Sequence, residues 1–237
     1  MSDLLPLFPL PNIVLFPNVF LPLHIFEQRY REMVAEALAS DRLIGMSLLK
    51  PGWERDYEGR PPVYPVACSG VITHVDRLAD GRYNIVLRGL ERVRIVGEES
   101  GRSYRRARVE SAPETPTVVD DRPALRRQRS KLEALLAPAI ERGLRSSPFD
   151  VKAVRRPAPV TPDLSERGLV TADPLIPSAM PDEDLVNALA QYLDLEPIEK
   201  QALLEATCLR SRAEALVELL EMKIMIARTP GLSNVAH

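Results

Sequence analysis

Hydrophobic positions change their period several times along this chain. Residues 9–30, "PLPNIVLFPNVFLPLHIFEQRY", are mostly apolar, yet Pro9, Pro11, Pro17 and Pro22 interrupt them. A membrane-spanning helix needs about 20 apolar residues in one unbroken helix. Each internal proline removes a backbone donor and clashes with the preceding turn, so that reading is excluded. A secretory signal is also excluded, since no basic residue precedes His24. The pattern predicts an extended, wandering segment with short β pieces such as "NIVLF", packed on a body made elsewhere.

After Pro22 the spacing lengthens. Phe26, Tyr30, Met33, Val34 and Ala37 fall on one face of a helix that ends near Ser40 and Asp41. Glu27 and Arg31 stand in the favourable i,i+4 order for an ion pair. "LIGMSLL" at 43–49 reads as a buried strand, and "PGWERDYEGRPP" at 51–62 as a loop. "VYPVACSGVITHV" at 63–75 predicts one or two strands. The Asp-Gly of "ADGR" at 79–82 marks a hairpin. "YNIVLRG" and "RVRIVGEE" follow as alternating runs, and "YRRARVE" at 104–110 closes the β-rich half. Many short strands joined by tight turns imply a small antiparallel barrel or sandwich.

From about Pro123 the chain turns helical. Leu125, Leu132, Leu136 and Ile140 keep helical register, with Pro138 expected to kink the helix and Gly143 to stop it. Residues 145–181 are proline-rich and aperiodic, which predicts a long loop. "DEDLVNALAQYLDL" opens with three acids, suited to the positive end of a helix dipole. Pro197 fits the first turn of the next helix. Ser211 and Glu214 suggest a capping box for the last one, whose buried stripe is Ala213, Leu216, Val217, Leu220 and Ile224. The expected fold class is α+β: a β-rich unit over residues 1–118, then a helical unit over 119–237.

Composition narrows the chemistry. The 237 residues carry a net charge of −2, which argues against a general polyanion binder. The two cysteines, Cys68 and Cys208, lie far apart and make neither a disulfide framework nor a metal cluster; a reducing cytoplasm is expected. No lysine follows a glycine, so no phosphate-binding G-x-x-x-x-G-K motif exists, and neither GxGxxG nor GxSxG occurs. Ser130 and Lys131 are helix neighbours whose side chains diverge, so they form no Ser–Lys dyad. His24, His74 and His237 lack partners at ligand spacing. His24 is expected to cap or pack at the helix start, and Cys208 to act as a small buried hydrophobe. No catalytic residue, metal or cofactor is expected. Arginines at 102–108 and 126–129 form basic patches, but flanking acids favour an ion-paired surface.

Three stretches resemble one family. "LPLFPLPNIVLFPNVFLPLHIFEQRYREMVAEAL" is similar to the opening of the amino-terminal domain of Lon proteases, with its V-L-F-P and L-P-L-x-I-F-E-x-R-Y-x-x-M-V pattern. "SGVITHVDRLADGRYNIVLRGLERVRI" resembles that domain's later hairpin, and "MPDEDLVNALAQYLDLEPIEKQALLEATCLRSRAEALVELLE" its helical half. The resemblance covers most of the chain outside about 145–178. Ala67 departs from the glycine that the family more often carries there. The resemblance implies a PUA-like β-domain followed by a helical bundle. Full Lon proteases continue into an ATPase module and a Ser–Lys protease domain, and this chain is expected to lack both and to be no enzyme.

The function that the resemblance implies is binding of unfolded or damaged polypeptides, or of a protease or chaperone partner. Proline-broken segments leave strand edges and grooves that can take apolar side chains and free backbone donors. The candidate contacts are Phe16, Phe20, Trp53 and Tyr57. The alternative is RNA binding by the PUA-like half through Arg105, Arg106, Arg126 and Arg127. A homo-oligomer is compatible with either reading, and no membrane partner is expected.

Overall fold

The computed structural model describes residues 4–57, 59–115, 121–141 and 180–228. Strand structure begins inside the proline tract, as β1 (Leu5–Leu10). Its Leu5–Leu7 half pairs with β6 (Arg105–Ser111), and its Leu7–Leu10 half pairs with β3 (Leu43–Leu48). Pro6 and Pro9 therefore each keep one side on which no ladder donor is needed, the condition under which a strand tolerates proline. "NIVLF", expected as a β piece, is irregular instead. The Phe16 N–H donates to Gln191 Oε1 at 3.2 Å, so a helix side chain satisfies it in place of a strand.

β2 (Phe20–Ile25), α1 (Gln28–Leu38), β4 (Val66–Arg77) and β5 (Tyr83–Glu99) complete the β-rich half. A single-turn 3-10 segment, Trp53–Asp56, lies in the loop after β3. The strand order is β2-β5-β4-β3-β1-β6, and β5 also pairs with β6, so five strands close into a ring with β2 attached outside it. The two runs expected on either side of Gly89 are one strand of 17 residues. The first half of β5 pairs with β2 and the second half with β6, while β4 runs along both. Shifts of register near Gly70, His74 and Gly97 supply the bends that closure requires. One pair, β1–β3, is parallel rather than antiparallel, because β2 and α1 form a crossover between them. Gly81 makes the expected hairpin with φ of 81°.

Among the described residues four helices follow: α2 (Arg122–Glu141), α3 (Asp182–Tyr192), α4 (Pro197–Glu205) and α5 (Leu209–Arg228). α2 continues through Pro138; Gly143 and most of the 145–181 segment lie outside the described residues. Pro197 takes the first helical position of α4, between the reciprocal caps Glu196 and Glu199. α5 starts earlier than its expected box. Ser211 lies within the helix and its hydroxyl accepts from the Cys208 N–H at 3.3 Å, while Glu214 pairs with Arg210.

Among the described residues two large apolar cores result, with a small third cluster of Leu5, Ala67 and Val93. One fills the barrel, with Phe8, Ile25, Tyr30, Met33, Ile72 and Leu87. The other joins barrel to helices, with Phe16, Val19 and Val66 packed against Leu132, Leu216 and Leu220.

Candidate functional site

β2 alternates cleanly. Leu23 and Ile25 point into the barrel; Phe20, Pro22 and His24 are exposed, and Phe26 continues that outward row. Phe20 is 48% exposed and Phe26 62%. Among the described residues β2 pairs only with β5, which leaves its other side as an edge of the sheet. Part of that edge is already used. Pro22 has no N–H, and the Phe20 carbonyl accepts the Tyr192 hydroxyl at 2.9 Å. Backbone groups alternate sides along a strand, so His24 shares the free edge with these two positions. Its imidazole Nδ1 is held 2.7 Å from Asn84 Oδ1 on β5, so it acts in the strand and not as a helix cap. What remains is an apolar, aromatic side-chain surface with a short length of available backbone.

Phe26 was expected on the buried face of α1. The helix begins only at Gln28, so Phe26 lies ahead of it and turns outward. Its exposure follows from where the helix starts, which hydrophobic spacing alone does not locate. Phe16, by contrast, is fully buried between barrel and helices and presents no surface. Trp53 and Tyr57 are half-buried and meet edge to face, with ring centroids 5.4 Å apart. The Tyr57 hydroxyl donates to Glu27 Oε1 at 2.8 Å. Arg29 lies 4.9 Å from the Tyr57 ring and 4.7 Å from the Tyr30 ring, and pairs with Glu27 at 2.9 Å. Glu27 thus serves Arg29 rather than Arg31, whose Nε donates to the Gly81 carbonyl at 2.8 Å. These contacts tie the loop after β3 to the start of α1.

The arginines divide by element. Arg105 is buried on β6, forks onto Glu98 and donates to the Pro61 carbonyl at 2.6 Å. Arg106, half-buried beside it, faces Glu99 at 3.8 Å. Arg126 and Arg127 are exposed on α2. Among the described residues, no group of His, Cys, Asp and Glu could hold a metal ion. No described helix is long and apolar enough to cross a membrane.

Residues 4–222 match the family described as the ATP-dependent protease La (LON) substrate-binding domain. The chain belongs to this family. The Lon-type domain accounts for both halves of the fold, the ring of strands and the helices after it. Lon protease 2 of Myxococcus xanthus is 28% identical over 232 residues, covering 98% of this chain and 25% of that protein. Lon protease of Anaeromyxobacter dehalogenans is 28% identical over 230 residues, 97% of this chain and 24% of the relative. The chain therefore spans about a quarter of the length of these relatives. Among solved structures, the N-terminal domain of Mycobacterium avium complex Lon protease superposes with a TM-score of 0.60 at 17% identity, covering 92% of this chain and 98% of that one. A Lon N-terminal domain protein from Xanthomonas campestris gives 0.53 at 20% identity, over 91% and 97%. At these identities the structures speak for the fold.

Proposed function

We propose that this Lon-type domain is a non-enzymatic binding module for unfolded or damaged polypeptides, or for a partner protein displaying similar apolar segments. The observation that carries the reading is the open β2 edge with Phe20 and Phe26 facing outward. An unfolded chain offers apolar side chains and free backbone groups, and this edge can receive both. Pro22 and the Tyr192–Phe20 bond limit backbone pairing, so side-chain burial dominates. Burying an aromatic side chain contributes about 1.5–3 kcal/mol. Ordering a flexible client offsets much of that, and the expected binding is weak and tolerant of sequence. Trp53 and Tyr57 are a second aromatic contact for longer clients. The bound chain is released intact, because the proposed role of these groups is contact and not bond cleavage.

The test mixes the protein with a chemically unfolded client and follows light scattering. The wild type is expected to suppress aggregation, and the Phe20→Ser/Phe26→Ser double variant to lose that effect while keeping its circular dichroism. No suppression by the wild type, or equal suppression by the variant, overturns the reading. ATP-dependent peptide cleavage by the purified chain overturns its non-enzymatic part. RNA retained through purification and released steeply by salt, with no client protection, would favour the arginine alternative instead.

A further inference from the structure

A cavity of about 330 Å³ opens where the loop after β3, the β5–β6 turn and the start of α1 converge. Its floor is apolar: Pro9, Tyr30 and Leu49 are all buried. Its walls carry four guanidinium groups, from Arg29, Arg60, Arg102 and Arg105, and no described acidic side chain lines it. Carboxylates behind the wall engage three of them. Arg29 pairs with Glu27 at 2.9 Å, Arg105 forks onto Glu98, and Arg102 reaches Glu36 at 3.4 Å across an exposed pair. The fourth, Arg60, is exposed and donates to a neutral group, the Glu99 carbonyl, at 3.0 Å. No described carboxylate pairs with Arg60, and its guanidinium has donors to spare.

We infer that this cavity binds a small molecule with an oxyanion head on a flat or apolar body. Arg60 and Arg102, both exposed, take the head as charge-assisted donors, and Tyr30, Tyr57 and Leu49 take the body. The volume suits one compact ligand. A phosphate or a carboxylate supplies the same head. Polypeptide binding by Phe20 and Phe26 on β2 uses other residues; only Tyr57, the second contact proposed for longer clients, is shared, and the Arg60/Arg102 variant tests the cavity alone.

Trp53, the single tryptophan of the chain, reports on the site through its edge-to-face contact with Tyr57. The experiment titrates the protein with adenosine monophosphate and with phenylacetate, each against its uncharged counterpart, adenosine or phenylethanol. Trp53 fluorescence and isothermal titration calorimetry are both recorded. Saturable binding of either anion with weaker binding of its neutral counterpart is expected, and phenyl phosphate against phenylacetate, on a common ring, identifies the head as phosphate or carboxylate. The Arg60→Gln/Arg102→Gln variant, altered only at exposed positions, should lose about tenfold or more in affinity with unchanged thermal unfolding. Arg126→Gln/Arg127→Gln on α2 should lose nothing. The inference is overturned if neither anion binds in the calorimeter, if the neutral counterparts bind equally well, or if the Arg60/Arg102 variant binds as the wild type does.

Discussion

Cys68 lies fully buried on β4 in the barrel core, and burial pushes its thiol up to about 12. Cys208 sits half-buried just before α5. The Ser211 hydroxyl, 3.4 Å from its sulfur, leads the contacts that hold that thiol below its usual value, joined by the Ser211 N–H at 3.5 Å. A lowered thiol pKa means more reactive thiolate near neutral pH, and an elevated one means almost none. Iodoacetamide labelling followed by mass spectrometry is therefore expected to modify Cys208 in the native protein. Cys68 should react only as fast as the protein unfolds. Ser211→Ala should slow labelling at Cys208 and leave Cys68 protected. The same pair of residues shows why the expected capping box moved. Cysteine is a weak acceptor that hydrophobic patterning treats as an apolar residue, whereas here its sulfur and backbone face the first turn of α5.

At the scale of elements, β5 depends on one close approach. Gly89 lies in register with Gly70 of β4, and its N–H donates to the Val19 carbonyl at 2.9 Å. A Cβ at Gly89 would come within 2.0 Å of the Phe16 carbonyl oxygen, and backbone cannot swing aside as a side chain can. Gly89→Ala should cost more than about 3 kcal/mol, at or beyond the upper end for overpacking. Gly97→Ala is the control: its Cβ would meet only the guanidinium tip of Arg108 at 3.3 Å. That change should stay within about 1 kcal/mol, and urea denaturation midpoints compare the two. The hairpin at Gly81 and the buried stripe of α5 were legible in the sequence because both are local and periodic. The prolines of β1 were not, since their tolerance depends on which half pairs with which neighbour. Nor was the continuity of β5, whose two halves take different partners across Gly89. At the candidate site, Trp53 and Tyr57 could be found as aromatics in a loop. Phe26 could not, because a shift of two residues in the start of α1 decides whether its ring is core or surface.

The molecule as a whole is joined by polar groups that reach across its two halves. Arg92 of β5 donates to the Leu204 carbonyl at 2.9 Å and to the Ala206 carbonyl, and Gln201 donates to the Val66 carbonyl of β4 at 3.0 Å. Asn187 of α3 donates to the Pro17 carbonyl at 3.2 Å. Arg212, with no exposed surface, stands at the centre of this joint. Its Nε donates to the Leu203 carbonyl at 2.9 Å, Nη1 to Asn187 Oδ1 at 2.8 Å, and Nη2 pairs with Glu114. Glu114 also faces Arg92 at 3.9 Å, so one carboxylate serves a barrel arginine and a helix arginine together. Removing one member of a buried pair leaves the other uncompensated, at a cost of about 3–5 kcal/mol. Arg212→Ala should therefore destabilise the protein by that amount, and adding Glu114→Gln should deepen the loss, because the buried Arg92 then loses its carboxylate as well. Two probes tell whether the joint couples the halves. Trp53 fluorescence reports the barrel loop, and helical circular dichroism is weighted toward α2–α5. If the polar joint makes one cooperative unit, both midpoints fall together in Arg212→Ala. Should the helical signal shift while the Trp53 signal stays in place, the halves unfold independently, and Arg212 stabilises the helices without binding them to the barrel.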